Sequence, residues 1–131
     1  MVLWGISAFA LIIVCVLVLL LLQRRPTKSS ADAEGIDRLV KAGSDLTRAH
    51  AIEFLLYFPS RTSADEASAH LHADGYKVSI EGGATGRRCV LRATRSMVPL
   101  LPDLQTLRST LDELAAREGG LYDNWWAEVV K

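Results

Sequence analysis

The sequence lacks an excess of charge, has few cysteines and carries none of the common catalytic motifs. Fifteen Lys and Arg balance fifteen Asp and Glu over 131 residues, which excludes strong non-specific nucleic-acid binding, because such binding depends on a positive excess. Cys15 and Cys89 lie far apart, so neither a mutual disulfide nor a thiolate metal site is expected. No His-Glu-x-x-His, Cys-x-x-Cys or Gly-x-Ser-x-Gly pattern occurs. We therefore predict no catalytic residues, no metal and no cofactor.

Charge is missing altogether from residues 1–22, which are apolar or small. A helix of this length spans about 33 Å, enough to cross a hydrocarbon core of about 30 Å. A cleaved signal peptide is the alternative, but no Lys or Arg precedes the run and no small-x-small cleavage site follows it. Arg24, Arg25 and Lys28 come next, and the positive-inside rule places them in the cytoplasm. We therefore predict a single transmembrane helix over 1–23, in the inner (cytoplasmic) membrane, with the C-terminal domain cytoplasmic.

The remaining chain predicts a polar tether over 24–35 and one α+β domain over 36–131. Helical spacing predicts a short helix over about 32–42, and the sequence leaves open whether this helix packs on the domain. Beyond it, alternation predicts strands and amphipathic spacing predicts helices. Their order is a strand over 51–58, a helix capped by Thr62 or Ser63 and ending at Gly75, strands over 76–81 and 88–93, a helix between Pro102 and Gly119, and a strand over 121–130.

This order, β-α-β-β-α-β, is that of the ferredoxin-like split βαβ fold. Right-handed crossovers place both helices on one face of an antiparallel sheet. The opposite face then stays open unless a partner or the short leading helix covers it. On the last helix, leucines form the inward stripe, and Arg108 is predicted on the solvated side.

Four segments together resemble one known family. They are Gly43-Ser44-Asp45-Leu46-Thr47, the strand Phe54–Phe58 followed by Pro59, the stretch from His70 to Val78, and Gly119-Gly120-Leu121-Tyr122-Asp123-Asn124-Trp125. In this order they are similar to the regulator of ribonuclease activity B family (RraB, ribonuclease E inhibitor B), over about residues 38–131. The ending Gly-Gly-x-Tyr-Asp-x-Trp is the most specific of the four.

The resemblance implies a ferredoxin-like α+β fold and a non-catalytic protein that binds ribonuclease E and modulates RNA turnover. The chain departs from the family in two respects. Asn124 stands where the family commonly has glycine, and the chain is neutral although well-known members are strongly acidic. With the predicted anchor, the resemblance implies a membrane-tethered regulator or adaptor.

The segment Tyr122–Trp126 is the strongest candidate for contact with a protein partner. Trp125 and Trp126 point to opposite faces of a strand, so one is expected in the core and the other at the surface. If Trp125 points inward, strict alternation places Tyr122, Asn124 and Trp126 on the open face. The alternative is that both tryptophans only pack within the chain.

The same face is predicted to carry aromatic and basic side chains from the other strands. The predicted partner-binding residues are Tyr122, Asp123, Trp125, Trp126, Tyr57, Arg88 and Arg92. Basic and aromatic residues on a sheet are also typical of single-stranded RNA-binding modules, where bases stack on the rings. RNA binding is therefore the alternative function, and an ordinary solvated strand face is the structural alternative. The oligomeric state stays open.

Overall fold

The computed structural model describes residues 12–20, 28–83 and 88–131. Residues 12–20 form a helix whose large apolar side chains are each about half exposed, from 48% to 60%. Within the three described ranges, no helix is both long enough and apolar enough to cross a membrane. Most of the predicted transmembrane helix over 1–23 lies outside the described residues.

Seven further elements make up the rest of the described chain. They are α1 (Lys28–Lys41), β1 (His50–Phe58), α2 (Arg61–Ala73), β2 (Lys77–Gly82), β3 (Cys89–Met97), α3 (Leu101–Arg117) and β4 (Leu121–Ala127). The predicted order β-α-β-β-α-β is confirmed, and α1 precedes it. Ala31–Lys131 form one compact unit.

The four strands form one antiparallel sheet in the order β2-β3-β1-β4. Alternate residues of β1 are fully buried on one side: Ile52, Phe54, Leu56 and Phe58. They belong to the same core cluster as Leu39 of α1, Leu71 of α2 and Leu111 of α3. The three helices therefore cover one face of the sheet, and the other face has no layer of the described chain over it.

Helix α1 begins at Lys28, earlier than the predicted start near residue 32. Asp32 and Gly35, which fall in the stretch predicted as a polar tether, are buried, and Leu39 joins the core. The composition of this stretch resembles a linker, but specific contacts with the sheet fix it as a helix. Helix α1 therefore packs on the domain, a point that the sequence left open.

A bulge in β4 changes which of its residues face the helices. Trp125 stands opposite Phe54 and Tyr122 opposite Leu56, so β4 uses one more residue than β1 over this interval. The extra residue breaks the two-residue period. As a result, Tyr122 and Trp125 both point to the core, although they are three positions apart.

Candidate functional site

The open face of the sheet is built from the outward residues of all four strands. Trp126 pairs with Glu53 across β1 and β4, and Leu121 pairs with Tyr57. Trp126 is 47% exposed and Leu121 is 56% exposed. A large aromatic ring in this position keeps much of its apolar area in water, a feature often found at protein interfaces.

Arg92 lies at the centre of this face and is held by acidic neighbours. Its Nη1 donates to Oε1 of Glu53 at 2.8 Å, and its Nε lies 3.8 Å from Oε1 of Glu81. The hydrogen bond that Arg92 donates to Glu53 raises the pKa of Arg92 above its ordinary value. The charge of Arg92 is therefore already matched by acids within the chain.

Arg88 has a different environment at one end of the same face. Its guanidinium carbon lies 6.0 Å from the centre of the Tyr57 ring, within the range of a weak cation–π contact. In the described residues no carboxylate forms an ion pair with Arg88. A hollow of about 200 Å³ lies here, lined by Tyr57, Phe58, Pro59, Arg88, Gly119, Gly120 and Leu121.

A second hollow surrounds Trp126 at the other end of the β1–β4 pair. Its volume is about 350 Å³, and it is lined by Ala51, Glu53, Thr94, Trp126, Glu128, Val129 and Val130. The residues after β4 thus form one wall of the site.

The segment that forms this wall is held by the loop before β1. The backbone N–H of Val130 donates to Oγ of Ser44 at 2.9 Å, and the backbone N–H of Asp45 donates to the Val130 carbonyl at 2.6 Å. Ser44 also bonds Nε2 of the buried His50 at 2.6 Å, while Nδ1 of that ring lies 2.8 Å from the Arg48 carbonyl oxygen. Ser44 and Asp45 therefore position the chain next to Trp126.

A buried polar network supports β4 from the helix side. Nε of Arg108 donates to both carboxylate oxygens of Asp32, at 3.1 and 3.0 Å, and its Nη2 donates to Oδ1 of Asp32 at 2.9 Å. The same Nη2 donates to Oδ1 of Asn124 at 2.9 Å, and the indole N–H of Trp125 donates to Asp32 at 2.9 Å. One carboxylate thus ties α1 to α3 and to β4.

The surroundings of Arg108 keep its charge. Burial alone would lower the pKa of Arg108, but the hydrogen bond to Asp32 and the charge interactions with Tyr122, Asp32 and Asp112 together raise it above its ordinary value. Its guanidinium carbon lies 4.9 Å from the centre of the Tyr122 ring. Burial raises the pKa of the Tyr122 hydroxyl, and that hydroxyl finds no hydrogen-bond partner among the described residues.

Arg108 was predicted on the solvated side of its helix, and this is wrong, because only 6% of it is exposed. A signal was present in the sequence. Arg108 is four residues after Leu104 and three before Leu111, so it lies on the apolar stripe. Its partner Asp32 is 76 positions away in the chain, and no local pattern connects the two.

The structure brings four of the predicted partner-binding residues to the open face: Tyr57, Arg88, Arg92 and Trp126. Trp125 is buried at 4% exposure, and Tyr122 is buried beside it, so the placement of Tyr122 on the open face is wrong. The bulge is the reason. Asn124 is turned to Arg108 instead of the open face, and Asp123 is exposed at the bulge.

Two glycines, Gly35 and Gly120, allow close contacts that involve β4. A Cβ on Gly35 would lie 2.6 Å from Cζ2 of Trp125, so only glycine lets α1 approach the indole ring. A Cβ on Gly120 would collide with the Tyr57 carbonyl and the Phe58 ring, so glycine lets the start of β4 reach β1. Within the described chain, no cluster of three or more His, Cys, Asp and Glu side chains could hold a metal ion.

The chain matches the model of a known family. The model of the RraB family, described as regulator of ribonuclease activity B, matches residues 29–126. The match begins nine residues before the predicted start of the resemblance at 38, so it includes most of α1 together with Asp32 and Gly35. A search of the curated proteins gave no match. Since the family model covers well over half of the 131-residue chain, the protein belongs to the RraB family.

Proposed function

We propose that this protein regulates RNA turnover without catalysing a reaction, by binding a ribonuclease of the ribonuclease E type through the open face of its sheet. The family description, regulator of ribonuclease activity, supports the regulatory role. The identity of the ribonuclease comes from the resemblance described above. In this proposal the contact is made by the outward residues of β1, β3 and β4.

The exposed Trp126 is the observation on which the proposal depends. Its neighbour Trp125 is buried and hydrogen-bonded, whereas Trp126 lies on a face that no described element covers. Tryptophan at the centre of an interface commonly contributes a large share of the binding energy. Trp126 also sits in a hollow with Val129, which gives a partner side chain an apolar place to pack.

RNA binding is the second candidate, since Tyr57 and Trp126 share the face with Arg88 and Arg92. The charges count against it. Arg92 is held by Glu53 and Glu81, and carboxylates repel the phosphates of a strand. A protein surface with mixed charge is the better complement to this face.

We further propose that a helix over 1–23 tethers the domain to the inner membrane with the domain in the cytoplasm. The absence of charge in 1–22 and the half-exposed apolar side chains of residues 12–20 support this. An apolar helix with that much exposed surface is typical of a segment that contacts a membrane or another protein. Confinement to a membrane raises the local concentration of the domain, so a weak contact suffices there.

The test is an affinity pull-down from native membranes with the full chain. Wild type is compared with Trp126→Ala and with Val40→Ala as a matched control, because Val40 is an apolar residue of α1 that is 53% exposed. We expect ribonuclease E in the wild-type and Val40→Ala samples, and its loss or strong reduction with Trp126→Ala. Carbonate extraction of the same membranes tests the anchor, which should keep the protein in the pellet.

Capture of ribonuclease E at equal levels by all three proteins would refute the open face as its site. Absence of ribonuclease with co-purification of RNA would replace the proposal with the RNA-binding alternative. Circular dichroism of Trp126→Ala checks that the fold is intact, as expected for a change on the surface.

A further inference from the structure

The two hollows of the open face lie along one line. Tyr57 lines the first and Glu53 the second, and both belong to β1. They are four residues apart on the same face of the strand, which corresponds to about 13 Å at about 3.3 Å per residue. Leu55 lies between them, partly exposed. An extended peptide has the same rise, so its side chains at positions i and i+4 would reach both hollows.

The charges distinguish the two ends of this line. At the Tyr57 end, Arg88 is an exposed cation without an ion pair in the described residues. At the Trp126 end, Glu53 is already matched by Arg92, and the wall is formed by Trp126 and Val129. Lys77 and Glu53 both pair with Thr94, from opposite sides of β3. Their backbones are therefore about 10 Å apart. The first hollow therefore suits a carboxylate, and the second suits a large apolar side chain.

We propose that the open face binds an extended peptide segment of the partner protein, with an acidic residue at Arg88 and a large apolar residue four positions away at Trp126. This rests on the proposed function and specifies the chemistry of the partner at the same surface. The carboxylate pairs with the Arg88 guanidinium above the Tyr57 ring. The apolar side chain packs between Trp126 and Val129.

The geometry favours this arrangement over two others. Addition of a peptide strand to the edge of β4 is opposed by the bulge, because a bulge interrupts regular pairing along an edge. An RNA strand would bring a phosphate at every nucleotide, whereas Glu53, Glu81 and Glu128 lie on or beside the face. Beside the first hollow, the Arg88 guanidinium, unmatched within the described residues, fits a single carboxylate better than a phosphate chain.

The experiment uses an array of synthetic nonapeptides on a serine background. Each peptide carries one Glu and one Phe, separated by one to seven positions and in both orders. Labelled full-length protein in detergent is applied to the array, and fluorescence anisotropy then gives the affinity for the strongest peptides. The variants are Arg88→Glu, Trp126→Ala and the control Val40→Ala, and a dodecamer of uridine serves as a competitor.

We expect the strongest signal at a separation of four residues. Arg88→Glu should weaken binding of the Glu-containing peptide about tenfold and should favour a peptide with Lys in place of Glu. Trp126→Ala should abolish the higher affinity for peptides with Phe over peptides with Ser at that position. Val40→Ala should leave the affinity for each peptide unchanged. Binding that does not depend on the separation, or binding that the uridine dodecamer abolishes, would overturn the proposal.

The two experiments distinguish a failure of the peptide mode from a failure of the proposed function. If the pull-down retains ribonuclease E and loses it with Trp126→Ala, while no peptide binds and Arg88→Glu captures as well as wild type, the peptide mode is refuted and the regulatory function stands. If peptides bind with the expected spacing but no ribonuclease is captured, the surface is a peptide-binding site for another partner.

Discussion

Replacing Asp32 with alanine would leave the Arg108 guanidinium buried without its counter-charge and the indole N–H of Trp125 without its acceptor. The side chain of Asp32 is fully buried, and that of Arg108 is 7% exposed. Water therefore has little access to replace the lost bonds. The change also removes the link by which α1 is held to α3 and β4.

The expected loss of stability is large for a single substitution. Removing one member of a buried ion pair costs about 3–5 kcal/mol, because the other charge is left uncompensated. Domains of this kind unfold with a free energy of about 5–15 kcal/mol, so this is a substantial share. At about 4–8 °C per kcal/mol for a domain of about 100 residues, a loss of 3 kcal/mol lowers the Tm by at least about 12 °C.

Thermal and guanidinium unfolding of the full chain, followed by circular dichroism, measures the effect. The control is Asp37→Ala, which removes an exposed pair between Asp37 and Lys41 on the same helix. Exposed pairs of this spacing contribute about 0.3–0.5 kcal/mol. A double substitution, Asp32→Leu with Arg108→Met, should recover much of the loss, because it removes both charges together. If Asp32→Ala and Asp37→Ala have the same Tm within 2 °C, the inference that the pair holds α1 in place is wrong.

Two further predictions concern residues that contact the same network. Gly35→Ala should destabilise the domain by about 1–3 kcal/mol, because its Cβ would overlap the Trp125 ring; denaturant unfolding measures this, and an unchanged midpoint would contradict the close contact. Tyr122→Phe should leave stability unchanged or raise it by about 1–2 kcal/mol, because it removes a buried hydroxyl that has no partner in the described residues. In the unfolded wild-type chain, Tyr122 loses its proton above about pH 10, whereas the buried hydroxyl of the folded chain keeps it. The free energy of unfolding should therefore fall as the pH rises past about 10. The fall should be smaller in Tyr122→Phe, which has no hydroxyl at this position. A loss of more than 1 kcal/mol in Tyr122→Phe would mean that the hydroxyl is bonded in solution.

The main architecture could be predicted because it depends on local patterns. The alternation of Ile52, Phe54, Leu56 and Phe58 predicts a strand with one buried face, and the structure has that strand. Glycine and proline between the periodic segments predict where elements end. The order of the elements then restricts the topology to few choices.

The details of β4 could not be predicted, because a bulge depends on pairing between strands. The sequence from Tyr122 to Trp126 contains no residue that requires a bulge. Strict alternation therefore placed Tyr122 on the wrong face, although it correctly placed Trp125 and Trp126 on opposite faces. Only the pairing register of β4 against β1 shows whether Tyr122 faces the core or the open face.

The buried network could not be predicted for a related reason. Arg is usually solvated, and its position on the apolar stripe of α3 becomes informative only when a buried carboxylate is known to be near. Asp32 provides that carboxylate from a segment whose polar composition is typical of a linker. Tertiary contacts override composition here, and the helix extends to Lys28.

The opposite orientation of Trp125 and Trp126 also places different constraints on two adjacent residues. Position 125 is constrained by the fold, since its ring contacts Gly35 and bonds Asp32. Position 126 lies on the open face opposite Glu53, and Trp126 is 47% exposed. A substitution at 126 would therefore change the surface of the open face while the adjacent tryptophan keeps its contacts with α1.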